Sequence, residues 1–227
     1  MNAASERASA FFGRRKGKRL RAGQDELVQN LLPALRVVPG RPPAEMFGGD
    51  EPRETWLEIG FGGGEHLAAQ ARTHRHVNFI GCEPFLNGMA KLLAVVDHEK
   101  LGNVRVWDED VTDLLPTLPD ASFDRVYILY PDPWPKRRQR KRRLVSDETL
   151  AELARVMRPG AELRFASDID NYIGWVLARA LRSPDFEWTA ERPDDWRKPY
   201  EGWPGTRYEA KAIREGRVPS YLTFVRR

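Results

Sequence analysis

The sequence predicts an α/β fold with a doubly wound, mostly parallel sheet. Strand-like and helix-like apolar patterns alternate from residue 55 to residue 181, and such alternation builds parallel sheets through right-handed crossovers. A glycine-rich run joins the first strand to the first helix of this region, as it does where nucleotides bind. Two further strand-like segments close the chain without a long helix between them. We therefore expect antiparallel pairing at the carboxyl end.

Each element follows from the period of its apolar residues. The strand candidates are residues 55–59, 77–82, 104–107, 123–130, 162–166, 186–192 and 221–226. The helical patterns cover residues 24–35, 65–72, 87–100, 146–157 and 168–181. The last two strands lack a crossover helix, so we expect them to pair antiparallel at or near the sheet edge.

A chain of 227 residues with 41% hydrophobic content is sized for one core. Residues 1–52 are expected to form a mobile basic arm, a short helix ending near Pro33 and a Pro/Gly-rich linker, ahead of one domain at 53–227. No apolar stretch approaches the roughly 20 residues that span a bilayer, and no signal peptide is evident. We expect a cytoplasmic protein without membrane contact or an obligate protein partner.

Cysteine and histidine give no sign of a metal or disulfide site. Cys82 is the single cysteine, so we expect a buried structural thiol. The four histidines are scattered, without the spacing of metal ligands.

Positive charge is concentrated in two places. Seven of the eight residues from 136 to 143 are Lys or Arg, and because the net charge is +4, the rest of the chain is net negative. A second cluster lies between residues 14 and 21. Such asymmetry is typical of nucleic-acid binders, although a solvated flexible segment has the same composition.

Asp132 stands directly before the first basic cluster. Prolines at 131, 133 and 135 exclude a helix there, so Asp132 is expected on a stiff loop at the carboxyl end of a buried strand, where α/β sheets bind ligands. A loop-ordering or helix-capping role is the alternative. The position joins a candidate reaction site to a candidate polyanion surface.

The glycine-rich run at residues 57–64 indicates a nucleotide-like cofactor. Glycine permits a tight turn and close approach of a ligand to the backbone. A dinucleotide fingerprint would require Gly or Ala at position 65, where this chain has Glu65. An ordinary glycine-rich turn is the alternative.

Acidic residues follow several strands. Glu83 ends the second strand, where a carboxylate can accept both ribose hydroxyl hydrogens, unless it is a surface loop acid. Asp110 follows the third strand and is a candidate for an adenine amino group, with Asp108, Asp113 or a helix-capping role as alternatives. Glu58 either orders the glycine-rich loop or faces a cationic moiety. Several acids suit a positively charged cofactor.

Two motifs carry a family resemblance. Leu-Glu-Ile-Gly-Phe-Gly-Gly-Gly at 57–64 resembles motif I of class I S-adenosylmethionine methyltransferases. Pro-Asp-Pro-Trp-Pro-Lys at 131–136, Lys-Arg-Arg at 141–143, Ser-Asp at 167–168 and Thr-Arg-Tyr-Glu at 206–209 resemble the bacterial tRNA (guanine-N7)-methyltransferases. The resemblance covers roughly residues 20–227. It implies a Rossmann-like seven-stranded methyltransferase domain, S-adenosylmethionine as cofactor, and tRNA as partner, methylated at N7 of guanine 46 in the variable loop.

The resemblance also implies residue roles. It assigns the cofactor to Glu58, Gly60, Gly62, Gly64, Glu83, Asp110 and Asp132, with Asp132 also catalytic. It assigns the RNA substrate to Lys136, Arg138, Gln139, Arg140, Lys141, Arg142, Arg143, Asp168, Thr206, Arg207, Tyr208 and Glu209. Cys82 replaces a usual aliphatic residue, and Arg207 a common Lys. Asp168 as a helix cap, and Trp134 as either a base-stacking or a loop-anchoring residue, stay open.

Three other functions are weaker. The segment around Asp132 resembles the Asp-Pro-Pro-Tyr loop that holds an exocyclic amine in DNA adenine or protein amide methyltransferases. Here the residues that follow the aspartate stand in a different order. A nicotinamide dehydrogenase is disfavoured by Glu65. A noncatalytic RNA-binding module would leave the acids at the strand ends unexplained.

Overall fold

A computed structural model describes residues 12–48 and 53–227. The first part of the predicted arm, residues 1–11, and the end of the predicted linker, residues 49–52, lie outside the described residues. The strands are β1 (Thr55–Ile59), β2 (Asn78–Cys82), β3 (Val104–Trp107), β4 (Phe123–Leu129), β5 (Met157–Ser167), β6 (Phe186–Trp188) and β7 (Ser220–Arg226). The α-helices are α1 (Ala22–Asn30), α2 (Leu32–Leu35), α3 (Glu65–Thr73), α4 (Leu86–Glu99), α5 (Val111–Leu114), α6 (Asp147–Val156), α7 (Asp170–Ala180), α8 (Asp194–Arg197) and α9 (Arg207–Arg214).

Within the described residues the strands form one seven-stranded sheet in the order β3-β2-β1-β4-β5-β7-β6. Strands β1 to β5 pair in parallel, whereas β7 pairs antiparallel to both β5 and β6. The predicted doubly wound sheet and its antiparallel end are confirmed. The strand order reverses between β1 and β4, and ligands bind at such a switch point.

The sheet is covered on both faces. Strand β1 is buried throughout, and its side chains alternate between two apolar clusters. Leu57 and Ile59 pack in the cluster that includes α6 and α7, whereas Trp56 packs in the cluster of α3 and α4. Because side chains alternate along a strand, Glu58 points to the same face as Trp56 and meets α3.

Several elements differ from the sequence prediction. Strand β6 ends at Trp188 rather than at residue 192, and the short helices α5 and α8 were not predicted. The first helical pattern divides before Pro33, which stands in the first turn of α2, because proline disrupts a helix interior but fits a first turn. Strand β5 reaches back to Met157, beyond an irregularity in its pairing with β4. Helix α9 was missed because its eight residues are fewer than the roughly 11 to 18 over which an apolar period is read.

The described ranges contain neither a membrane-spanning helix nor a cluster of metal ligands. No helix in residues 12–48 and 53–227 is long and apolar enough to cross a membrane. No group of three or more His, Cys, Asp or Glu side chains in those ranges could hold a metal ion. Cys82 is 1% exposed, and burial raises the pKa of its thiol, as expected of a structural thiol.

Candidate active site

The glycine-rich loop leaves β1 in a conformation that needs glycine. Gly60, Gly62 and Gly64 have φ values of 75°, 59° and 80°, in the left-handed region that other residues rarely adopt. The first turn of α4 lies directly against this loop, since a Cβ at Gly88 would lie 2.0 Å from the Gly62 carbonyl oxygen. The loop is therefore fixed between β1 and α4.

Glu83 joins this loop to the segment after β2. Its carboxylate accepts hydrogen bonds from the backbone N–H of Gly62 at 2.7 Å and of Phe85 at 2.9 Å. Burial raises the pKa of Glu83, the two backbone hydrogen bonds and Arg207 oppose this, and Asp132 adds to it. A carboxylate has about four acceptor positions. Two therefore stay available for a ligand.

Glu58 is tied to the protein interior. It is 3% exposed, and its Oε2 lies 2.7 Å from Nδ1 of His66 on α3. The His66 ring packs against Tyr127 and Trp203, at centroid distances of 4.8 and 5.0 Å. No motif in the sequence predicts this pairing. It supports the loop-ordering alternative for Glu58.

Asp110 caps a helix. Its Oδ1 accepts a hydrogen bond from the Thr112 N–H at 3.0 Å, at the start of α5. Of its rivals, Asp108 forms an ion pair with Arg36 at 2.8 Å. The capping role is thus observed for Asp110, and it occupies one carboxylate oxygen at the carboxyl end of β3.

The loop that carries Asp132 is backbone-strained on both sides. Tyr130 and Trp134 have φ values of 51° and 39°, and such left-handed residues cost on the order of 1 to 3 kcal/mol each. Tyr130 is held by its N–H, which donates to the Ala166 carbonyl at 2.8 Å. The Asp132 residue is exposed. Protein atoms around its carboxyl group nevertheless remove part of its hydration, which raises its pKa.

Trp134 anchors this loop. The Arg142 guanidinium lies 5.0 Å from the Trp134 ring centre and 4.6 Å from that of Phe12, and the two rings meet edge to face. Trp134 is therefore engaged with the protein, which supports the anchoring alternative over base stacking.

The described part of the amino-terminal arm is fastened beside the site, where a mobile segment was expected. Asn87 accepts a hydrogen bond from the Gly17 N–H and donates one to the Lys18 carbonyl, both at 2.7 Å. The Leu86 N–H donates to the Arg15 carbonyl at 2.9 Å. The expectation was wrong for these residues because a polar side chain at the start of α4 satisfies their backbone.

The basic segment, residues 136–143, is not uniform. Residues Arg137–Arg142 form a 3₁₀-helix. Lys136, Arg138 and Lys141 are exposed, whereas Gln139, Arg140 and Arg142 are half-buried. Arg143 is 3% exposed. The exposed members suit phosphate contacts, but the burial of Arg143 does not agree with the RNA-contact role that the resemblance implies for it.

The segment 206–209 serves two purposes. Thr206 and Glu209 form a capping box on α9, with the Glu209 N–H donating to Thr206 Oγ1 at 3.0 Å. The Glu209 carboxylate also accepts from Trp203 Nε1 at 2.8 Å and from the Tyr221 hydroxyl. The spacing Thr-x-x-Glu is the sequence signal of such a box. The side chains of Thr206 and Glu209 therefore hold the start of α9, and their contact with the substrate stays a prediction.

The two residues inside the capping box, Arg207 and Tyr208, face the glycine-rich loop. A Cβ at Gly62 would lie 3.2 Å from the Tyr208 ring and 3.5 Å from an Arg207 guanidinium nitrogen. Arg207 also lies 3.9 Å from Glu65. The capped helix α9 thus places Arg207 and Tyr208 over the glycine-rich loop.

Asp168 lies after β5, as predicted, but does not cap α7, whose N-cap is Ile169. Its carboxylate pairs with Arg217, which also contacts Glu215. Asp168 therefore connects β5 to the segment between α9 and β7.

Comparisons with known proteins agree with this architecture. The family described as "Putative methyltransferase" matches residues 52–220. The crystal structure of the 16S rRNA methyltransferase KamB superposes with a TM-score of 0.56 at 18% identity, over 77% of this chain and 88% of that chain. A putative methyltransferase from Thermoplasma acidophilum has a TM-score of 0.52 at 16% identity, over 79% of this chain and 70% of that chain. At these identities the likeness concerns the fold alone.

Two curated relatives are much more similar. A tRNA (guanine-N(7)-)-methyltransferase from Chelativorans sp. (strain BNC1) is 54% identical over 220 residues, which are 96% of this chain and 95% of the relative. One from Agrobacterium fabrum (strain C58 / ATCC 33970) is 54% identical over 227 residues, 98% and 97% of the two chains. Near-complete coverage at this identity identifies the chain as a member of the tRNA (guanine-N7)-methyltransferase family.

Proposed function

We propose that the protein transfers a methyl group from S-adenosylmethionine to N7 of a guanine in tRNA, at position 46 of the variable loop. The products are 7-methylguanosine and S-adenosylhomocysteine. The position of Asp132 carries the assignment of the site. Asp132 follows β4 at the switch point and precedes the basic segment. Its charge also helps to raise the pKa of Glu83. One loop thus connects a nucleotide pocket with a surface for RNA.

The residues present fit the cofactor. The glycines at 60, 62 and 64 allow close approach to the backbone, and the Glu83 carboxylate keeps acceptor capacity for ribose hydroxyls. Asp110, which caps α5 at the carboxyl end of β3, would receive the adenine amino group. When bound, the cofactor supplies an electrophilic methyl group on a sulfonium centre.

The chain mainly positions the base and stabilises charge. Guanine N7 carries an exposed lone pair, so no base has to remove a proton before attack. Alignment of two reactants can contribute several kcal/mol, up to roughly 7 to 11 in ideal systems. As the N7–carbon bond forms and the methyl–sulfur bond breaks, positive charge would pass from sulfur to the purine. The Asp132 carboxylate would stabilise that charge and accept hydrogens from guanine N1 and N2.

The exposed cations next to this loop would hold the tRNA backbone. Lys136, Arg138 and Lys141 lie on the open side of the 3₁₀-helix, and phosphate contacts give affinity and register without reading sequence. Arg207 and Tyr208 lie over the glycine-rich loop and would approach the target nucleotide from the side opposite to the basic segment. Target choice then rests on tRNA shape and on an unstacked base.

Replacing Lys136, Arg138 and Lys141 together with Gln is expected to weaken tRNA binding and to flatten the slope of log affinity against log salt. Each lost phosphate contact reduces that slope by up to about 0.9. Filter binding over a salt series measures both quantities. A matched variant removes three exposed cations elsewhere, Lys100, Arg182 and Lys198. Equal slopes for the two triple variants would exclude a local phosphate surface in the basic segment.

The methyl-transfer rate should depend on pH through Asp132. Partial burial raises its pKa, so the carboxylate becomes neutral at a higher pH than the ordinary value of about 3.9. As pH falls through this raised pKa, the stabilising charge disappears and the single-turnover rate drops. Asp132→Asn should be slow and lack this acid limb. A wild-type rate that stays level down to the ordinary aspartate range would contradict the assignment.

A direct test of the function uses unmodified tRNA and cofactor labelled in the methyl group. Digestion to nucleosides and chromatography with mass spectrometry should find the label in 7-methylguanosine, in amounts that approach one per tRNA. Label in an exocyclic-amine product would instead favour the alternative reaction that the Asp-Pro-Pro-Tyr likeness suggested. Because its substrate is tRNA, we infer that the protein acts in the cytoplasm.

A further inference from the structure

Arg143 ends the basic segment but lies in the protein interior. It is 3% exposed, while Arg138 and Lys141 in the same segment are exposed. An enclosed guanidinium has no open path to a phosphate. The charge of Arg143 therefore serves something other than direct RNA contact.

The hydrogen bonds of Arg143 connect the Asp132 loop to helix α7. Its Nε donates to the Pro133 carbonyl at 2.8 Å. Its Nη1 and Nη2 donate to the carbonyl and the side-chain oxygen of Asn171, at 3.3 and 2.7 Å. The guanidinium also lies 4.7 and 4.9 Å from the ring centres of Tyr172 and Trp175. It thus joins residue 133 to the first turn of α7.

The Asp132 loop has few backbone donors with which to anchor itself to the rest of the protein. Prolines at 131, 133 and 135 lack an N–H to donate. Tyr130 and Trp134, on either side of the Pro-Asp-Pro segment, both have positive φ, a conformation that persists only when surrounding contacts enforce it. The bond from Arg143 reaches the residue directly after Asp132.

We propose that Arg143 is a positioning residue for methyl transfer, which fixes the Asp132 carboxylate by clamping the Pro133 carbonyl to the start of α7. The proposal rests on the proposed function and adds a role to the same site. Arginine suits the clamp because one planar guanidinium serves oxygens on two elements and stacks on aromatic rings. A lysine ammonium offers neither the fork geometry nor the stacking surface.

Arg143→Lys and Arg143→Gln test the clamp by separating rate from affinity. In single turnovers at saturating tRNA and cofactor, we expect the rate to fall about 10- to 100-fold, the usual cost of a small misplacement of a reacting group. Affinity for tRNA and its salt slope should stay near wild type in Arg143→Lys. Calorimetry with S-adenosylmethionine establishes that each variant keeps a folded cofactor pocket.

Asn171→Ala provides a second route, because it removes one anchor of the clamp without changing the basic segment. We expect a smaller loss of rate, about 3- to 10-fold, with tRNA affinity unchanged. Arg138→Gln serves as the contrast, since its exposed side chain should affect tRNA affinity and the salt slope. If the Arg143 variants do not fold, Asn171→Ala decides alone.

Two results would overturn the clamp. One is a wild-type saturating rate in Asn171→Ala or in a folded Arg143 variant. The other is a lower salt slope in Arg143→Lys with its saturating rate retained, which would identify a phosphate contact. The wild-type protein is run in the same assay. Absence of 7-methylguanosine in that arm would refute the proposed function, whereas normal wild-type product with unaffected variants would refute only the clamp.

Discussion

Asp132→Asn should lower the single-turnover rate of methyl transfer by about 10²- to 10³-fold, the loss that follows removal of one preorganised electrostatic group from an active site. The substitution keeps the size of the side chain and removes its charge. Asp132 lies on a loop fixed by its prolines and flanked by Tyr130 and Trp134 at positive φ. A neutral amide there cannot stabilise the cationic purine as well as a carboxylate does.

Because the Asp132 carboxylate stabilises a charge that forms only during the reaction, tRNA affinity should change far less than the rate. Single-turnover kinetics at saturating tRNA and cofactor measure the rate, and filter binding measures the affinity. Asp120→Asn is the matched control, since the Asp120 side chain is 78% exposed and pairs with Arg155 on the surface. Equal rates for the two variants would leave Asp132 as a loop residue.

Glu83→Ala should weaken S-adenosylmethionine binding by about 1.5 to 3 kcal/mol, the range for hydrogen bonds to charged groups. The structure favours the upper end, because the carboxylate also holds the N–H groups of Gly62 and Phe85. Its removal would loosen the glycine-rich loop and delete a ribose acceptor together. Calorimetry measures the dissociation constant.

The control for Glu83→Ala is Glu187→Ala on strand β6, at the far edge of the sheet from β2. The Glu187 side chain is 65% exposed, so its loss should leave cofactor affinity at the wild-type value. tRNA affinity without cofactor should barely change in either variant. A folded Glu83→Ala protein that binds the cofactor normally would remove Glu83 from the pocket.

The sheet was predictable because its signals are local. Buried strands and helices alternate with distinct periods, and Glu83 and Asp132 directly follow strands, so parallel pairing places them at one edge of the sheet. The antiparallel pairing of β6 with β7 was expected because no crossover helix separates them, whereas the pairing of β7 with β5 was not specified. A helix end near Pro33 was predictable, but the start of a second short helix at Leu32 was not.

The contacts within the site were less predictable because they depend on how separate elements pack in three dimensions. Arg143 belongs to a run of cations, and its burial depends on Asn171, Tyr172 and Trp175, about thirty residues later. Glu58 and His66 meet because strand β1 and helix α3 share a face. A composition or motif does not encode these contacts; the three-dimensional packing does.

The capping box of Thr206 and Glu209 is a different case. Its spacing was visible in the sequence, and the rule that recognises it is general. The helix it begins was missed because eight residues are fewer than the roughly 11 to 18 over which an apolar period is read. The finding separates the two outer residues, which hold α9, from Arg207 and Tyr208, which face the glycine-rich loop.

Methyl transfer to tRNA that contains 7-deazaguanosine tests the central claim most directly. The modified base keeps N1 and the exocyclic N2 amine but has a carbon in place of N7, so it offers no lone pair at the attacking position. Labelled cofactor and nucleoside mass spectrometry, with ordinary tRNA in parallel, report the product. Attack by N7 predicts 7-methylguanosine in the ordinary tRNA and no methyl incorporation in the modified tRNA, at comparable affinity for both. Undiminished methylation of the modified tRNA would contradict N7 as the nucleophile and point to an exocyclic amine.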